Sequence, residues 1–162
     1  MSFYFELIGT IYTPFLSEEN MPIQPAAATK VEGKIIIRED LVPALSDLDG
    51  FSHIILIYYF HKSKGFDHQV VPFLDTVSHG LFATRAPRRP NAIGLSVVRL
   101  VRIEGNVLFV ENVDMLNETP LLDIKPYVSA FDNIHAEKCG WLDKKSEELK
   151  SAKSDKRFGG SV

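Results

Sequence analysis

Cysteine is almost absent: Cys139 stands alone among 162 residues, which excludes an internal disulfide framework and any cysteine-built zinc site. Long apolar runs are missing too. The longest, Ile54 to Phe60, has about seven residues, against the roughly 20 that a membrane-spanning helix needs. Met1 is not followed by a basic segment and an apolar stretch, so no secretory signal is expected. Positive charge is not in excess: 18 Lys and Arg against 21 Asp and Glu leave a formal net charge of -3. That is the wrong sign for a protein that coats nucleic acid through its overall field, although a local basic cluster remains effective. These absences favour a single globular domain in a reducing cytoplasm.

Cofactor and metal signatures are lacking as well. No G-x-G-x-x-G follows a strand, and there is no phosphate loop and no H-E-x-x-H. The histidines at 53, 61, 68, 79 and 135 lack a compact metal spacing, so no metal site is expected.

What is present reads as strands joined by hairpins and long loops. Glu6 to Tyr12 and Val31 to Ile37 are short and β-branched, as strands are. Between them, Leu16 to Thr29 carries Pro22 and Pro25 and is a long loop, the kind that usually has a function. Arg38 to Asp49 suits a helix or 3₁₀ turn. Phe51 to Phe60 is so uniformly apolar that a strand buried on both faces is expected. Val97–Ile103 and Val107–Val110 flank Glu104-Gly105-Asn106 as a hairpin, and Thr119 to Tyr127 is a further strand. From Leu142 onward the chain is polar, with a marginal helix over Lys144–Ala152. The expected organisation is therefore a β domain over 1–141 and a polar tail over 142–162. Without strand–helix alternation, the fold class is mainly β, a barrel or sheet with long loops and a few short helices rather than a doubly wound fold.

The densest segment is Phe82-Ala83-Thr84-Arg85-Ala86-Pro87-Arg88-Arg89-Pro90-Asn91-Ala92-Ile93-Gly94-Leu95-Ser96. Its prolines fix φ and hold the loop in one shape, while guanidinium groups suit bidentate recognition of carboxylate or phosphate. The same arginines are equally suited to pairing with nearby acids in a solvated turn.

This run resembles the F-A-T-R-[SA]-P-x-R-P-N-x-I-G-L-S signature of the TsaA-like, TrmO-type family of tRNA methyltransferases. Three more segments resemble that family in the same order. They are Pro22-Ile23-Gln24-Pro25, then Leu48-Asp49-Gly50-Phe51-Ser52-His53 running on to Phe60-His61, and Thr119-Pro120-Leu121-Leu122-Asp123-Ile124-Lys125-Pro126-Tyr127. Asn117-Glu118 stands where the family commonly has Asp-Gly, so a turn glycine is missing and the backbone there is expected to do without the positive φ it allows. The C-terminal extension of many bacterial members has no counterpart after Trp141, which bears on tRNA affinity.

The resemblance implies a single β-barrel that dimerises, with S-adenosyl-L-methionine bound near the interface. It also implies methylation of the exocyclic nitrogen of threonylcarbamoyl-adenosine beside the tRNA anticodon. By position it assigns Pro22, Ile23, Gln24, His61, Lys62, Arg85, Leu95, Asn117, Glu118, Thr119 and Pro120 to the cofactor. Arg88 and Arg89 are candidates for phosphate or for the substrate carboxylate, with Lys125 and Tyr127 as further RNA contacts. Because the attacking nitrogen must lose a proton, Asp123 is the first candidate base and His61 the second. Asp123 is also placed to pair with Lys125. His53 reads as a core or interface histidine, Asn91 as a brace of the loop, and Cys139 as structural. A non-catalytic RNA-binding barrel, and a methyltransferase with another substrate, are the alternative readings.

Overall fold

The computed structural model describes residues 3–19, 21–22, 28 and 30–143. The helix expected over Lys144–Ala152, and the tail around it, lie outside the described residues.

Eight strands form among the described residues: β1 (Gly9–Tyr12), β2 (Glu32–Ile37), β3 (His53–Tyr59), β4 (Gln69–Val70), β5 (His79–Gly80), β6 (Ile93–Glu104), β7 (Val107–Glu111) and β8 (Thr119–Pro126). Six of them close into an antiparallel barrel in the order β1-β2-β7-β6-β3-β8, with β8 pairing back onto β1. The mainly-β barrel expected from the sequence is therefore the fold. β4 and β5 make a separate two-stranded ribbon inside the long connection from β3 to β6. Helical structure among the described residues is slight. It comprises 3₁₀ turns at Glu39–Leu45, Leu48–Gly50, Leu81–Ala83 and Gly140–Leu142, and one turn of α-helix, α1 (Ser129–Asp132).

Alternation of side chains builds the core. β2 buries every second residue, Gly33, Ile35 and Ile37, and β3 buries Ile54, Leu56 and Tyr58. With Ile11, Val98, Leu100, Leu108, Val110, Val113, Met115 and Leu121 these fill the barrel. β3 is thus a one-sided strand, contrary to the expectation of burial on both faces. Its other face carries Ile55, Ile57 and Tyr59, paired with Val97, Leu95 and Ile93 of β6. Apolar composition concealed the period of two because the outward face of this wall is itself apolar. The hairpin at Gly105-Asn106 forms as expected, with Gly105 at φ 59°.

The barrel contains two register shifts. One lies between Leu100 and Arg102 where β6 meets β7, the other between Ile57 and Tyr58 where β3 meets β8. The second pairs Ile57 with Asp123 and Tyr58 with Leu121. An extra residue in a strand turns neighbouring side chains to the opposite face, so Leu121 points into the barrel and Asp123 outward.

Candidate active site

Residues 60–92 connect β3 to β6 and are tied at their base by the Phe60 N–H donating to the Ala92 carbonyl at 2.8 Å. Within this connection the arginine segment is braced by its own side chains. The Thr84 hydroxyl donates to the Leu81 carbonyl at 2.8 Å. Arg89 Nη1 donates to the carbonyls of Thr84 at 2.9 Å and Ala86 at 3.2 Å, bracketing Arg85. Arg88 Nε donates to the Lys64 carbonyl at 3.1 Å, and its guanidinium lies 3.8 Å from the Asp67 carboxylate. Trp141 closes the outside: its Nε1 donates to the Ala83 carbonyl at 2.8 Å, and its ring stacks on His79 at 4.6 Å. His79 in turn meets the Asp75 carboxylate at 2.9 Å. Of the three arginines, Arg88 and Arg89 thus shape the loop, and Arg85 is the exposed guanidinium that the braces present.

His61 follows β3 and is half-buried. Burial first, and then the neighbouring charge of Lys62, hold its imidazole below the usual range, with Glu118 pulling the other way. His61 is therefore neutral at pH 7 and able to accept a proton. The connection from β7 to β8 lies beside it. Thr13 locks that connection twice, its N–H to Asn117 Oδ1 at 3.1 Å and its hydroxyl to the Met115 carbonyl at 2.8 Å. The Asn117 N–H donates to the Phe15 carbonyl at 2.7 Å, and the Thr119 hydroxyl to the Leu116 carbonyl at 2.7 Å. Glu118 takes φ 61°. The turn therefore keeps the left-handed geometry of a glycine although the glycine is absent, which corrects the expectation that the backbone does without it.

The remaining expected residues are spread around this centre. Leu95 stands 57% exposed on the barrel exterior. Pro120 pairs with Thr10, and Pro22 is buried beside Met21; Ile23 and Gln24 lie outside the described residues. Asp123 is ion-paired with Lys125 at 2.7 Å and accepts the Ile124 N–H at 2.9 Å, both side chains being exposed. Tyr127 sits edge-on to His53 with centroids 6.3 Å apart. Asn91 is exposed, and its carbonyl accepts the Ile93 N–H at 2.8 Å.

One ionisable residue in this region has no counterpart among the expectations from sequence. Asp114 accepts a 2.6 Å hydrogen bond from the Ser96 hydroxyl, and Ser96 lies 3.0 Å from the Tyr58 hydroxyl. Burial pushes the Asp114 carboxyl up to about 6, against the opposing pull of Ser96 and Arg85. Burial also pushes the Tyr58 phenol up. The sequence signal is slight, a single acid between two apolar residues, Val113 and Met115, both of which are core.

A second feature lies on another wall. A groove of about 650 Å³ runs along β1, β2, β7 and β6, where Arg102 packs 3.5 Å over the Phe109 ring. Its Glu32 and Glu111 face each other across the strands, and it shares no residue with the arginine loop. The charge of Arg85 acts on Asp114, and that of Glu118, in the same β7–β8 connection as Asp114, acts on His61. Among the described residues no group of His, Cys, Asp and Glu is placed to hold a metal ion. None of their helices is long and apolar enough to cross a membrane.

A zwitterionic nucleoside sulfonium fits this chemistry. Arg85 offers a cation for a carboxylate, Glu118, whose charge acts on the neutral His61 imidazole, an anion for an ammonium group, and exposed Leu95 an apolar surface. Fold and site together define a small closed β-barrel that carries an arginine-presenting loop in place of a glycine-rich cofactor motif. Residues 10–133 match the tRNA-methyltransferase O N-terminal domain, and the chain belongs to that family. A probable S-adenosyl-L-methionine-binding protein of Pyrococcus abyssi is 48% identical over 151 residues, covering 93% of this chain and 82% of that protein. A human tRNA (adenine(37)-N6)-methyltransferase is 33% identical, covering 79% of this chain and 31% of its own length. The crystal structure of TrmO from Pseudomonas aeruginosa superposes with a TM-score of 0.73 at 36% identity, covering 88% of this chain and 64% of that one. This chain thus spans under a third of the human relative and less than two thirds of the Pseudomonas chain.

Proposed function

We propose that this protein is an S-adenosyl-L-methionine-dependent tRNA (adenine-N6)-methyltransferase. Its substrate is threonylcarbamoyl-adenosine next to the anticodon, and it works in the cytoplasm as a homodimer. The observation that carries this reading is the arginine loop, braced on both sides of Arg85, in a chain of this family.

Bound S-adenosyl-L-methionine supplies a methyl group on a positively charged sulfur. The protein's part is alignment and exclusion of water, which accounts for most of the rate in a displacement of this kind. Arg85 holds a carboxylate, either of the cofactor or of the threonine on the substrate. Arg88 and Arg89 act by keeping the loop rigid, so that little ordering is left to be done on binding. The exposed apolar row Tyr59, Ile93 and Leu95 on the outer wall supports the dimer, since a row of this kind is buried more readily against a second copy than left in water.

Calorimetric titration with S-adenosyl-L-methionine tests the reading directly. Wild type is expected to bind, and Arg85→Ala to bind roughly 10- to 100-fold more weakly, the worth of one charge-assisted hydrogen bond. Methyl transfer is then expected on tRNA carrying threonylcarbamoyl-adenosine and to be lost on tRNA without that group. Absence of wild-type binding at concentrations that populate a dimer counts against the reading and favours a non-catalytic RNA-binding barrel.

A further inference from the structure

The barrel interior holds one polar chain among its aliphatic side chains. Tyr58 of β3 and Ser96 of β6 both point inward and are 4% and 2% exposed. Ser96 Oγ makes the short 2.6 Å bond to the Asp114 carboxylate and the longer 3.0 Å contact with Tyr58. A carboxylate only accepts, so the Ser96 proton points to Asp114 and Tyr58 donates to Ser96. Such a chain does little for the fold, because apolar groups of the same shape fill a core at no desolvation cost. Seating it also requires a glycine. A Cβ at Gly94 would stand 2.3 Å from the Tyr58 ring, so only glycine fits opposite that tyrosine.

The chain leads to the candidate site. Asp114 lies in the β7–β8 connection, and the charge of Arg85 acts on both Asp114 and Tyr58. Four residues along the same connection, Glu118 acts on His61. One short segment is thereby linked electrically to the arginine loop at Asp114 and to the His61 pair at Glu118. Asp123, the base expected from the sequence, is instead on the barrel exterior in an ion pair with Lys125.

We propose that Asp114, steadied by Ser96 and Tyr58, accepts the proton released when the substrate nitrogen is methylated. The assignment rests on the methyltransferase reading above. In the step, the nitrogen lone pair forms the new N–C bond while the C–S bond breaks and its electron pair stays on sulfur. The N–H bond breaks and its proton passes to the Asp114 carboxylate, which later releases it to water. The groups acting on that carboxylate are Ser96 from β6, itself bonded to Tyr58 from β3, and Arg85 from the loop. A carboxyl titrating at about 6 is ionised at neutral pH yet takes up a proton readily, as a general base should.

Asp114→Asn and Ser96→Ala test this with three readouts: single-turnover methyl transfer against pH, cofactor affinity by calorimetry, and carbon-13 NMR titration of carboxyl groups in the unliganded protein. In wild type, the rate is expected to fall as pH drops through about 6. Asp114→Asn is expected to lower the plateau rate roughly 10²- to 10⁴-fold, to keep cofactor affinity within about threefold, and to remove one carboxyl resonance titrating near 6. Ser96→Ala removes a bond to the ionised form, so the resonance and the acid limb of the rate are expected to move together to higher pH. A wild-type rate or a wild-type acid limb in Asp114→Asn overturns the proposal. If that variant does not fold, an unmoved acid limb in Ser96→Ala overturns it instead. Failure of the methyltransferase reading is distinguishable, because it appears in wild type alone, as neither cofactor binding nor methyl transfer.

Discussion

At position 118 a glutamate occupies backbone that favours glycine, with φ at 61°. An L side chain there crowds the neighbouring carbonyl and costs roughly 1–2 kcal/mol. Glycine would relieve that strain but would also lose more freedom on folding. Glu118→Gly is therefore expected to raise stability by about 0.5–1 kcal/mol, read as a higher urea midpoint at unchanged slope; a lower midpoint refutes the strain. Asp114 sets a second residue-scale expectation, with a sign opposite to that of most acids. Its folded value of about 6 lies above the ordinary 3.8, so between these values the folded state binds more protons than the unfolded one. Stability then falls as pH rises through that window and levels off above it, a total of about 3 kcal/mol for a buried group. Asp114→Asn is expected to abolish this slope and to be the more stable protein near pH 8. Urea unfolding at about pH 4.5 and 8 checks it, and a slope that survives in the variant removes Asp114 as its source.

At the scale of elements, the barrel strands were legible and the site only partly so. β-branched runs and turn residues placed all six barrel strands to within a few residues, because a strand's period and its breakers are local properties. β3 was placed as well, but its one-sidedness was not, since Ile55, Ile57 and Tyr59 make its outer face apolar too. β4 and β5, two residues each, exist only because the long connection folds back on itself, and nothing local announces them. The arginine motif singled out a loop but not the division of labour within it. That division depends on where the carbonyls of Lys64, Thr84 and Ala86 fall, which sequence does not carry. Asp114 had no motif at all, and its meaning comes from Tyr58 and Ser96 on two other strands. Trp141 belongs to the same class of tertiary detail. Its bond to the Ala83 carbonyl and its stack on His79 latch the chain's later part onto the arginine loop. Trp141→Phe loses the hydrogen bond, worth about 1 kcal/mol. Amides over 79–86 should then exchange roughly fivefold faster while those of β2, β3 and β7 keep their rates. Uniformly faster exchange would mean that Trp141 supports the whole barrel rather than the loop.

For the whole molecule, the proposed dimer would make the outer wall of β3 and β6 a link between assembly and the candidate site. Tyr59 pairs with Ile93 and Ile57 with Leu95, giving an apolar row whose exposed members are 43%, 37% and 57% accessible for Tyr59, Ile93 and Leu95. Leu95 is at once part of this row and a residue of the candidate cofactor site, and β6 continues directly from the arginine loop. Covering the row with a second copy would therefore bury the edge of the site as well, and cofactor affinity should depend on protein concentration. Tyr59→Lys with Ile93→Lys places two like charges directly opposite each other on that wall, which opposes self-association without touching the inward face. Sedimentation equilibrium should report a monomer for this variant, and near-ultraviolet circular dichroism an intact barrel. If the dimer completes the site, S-adenosyl-L-methionine affinity should fall with it by roughly tenfold or more, the effect of losing one face of a binding cleft. A monomeric variant that binds the cofactor as wild type does would separate the two, placing the whole cofactor site within one barrel and leaving the apolar wall to assembly alone.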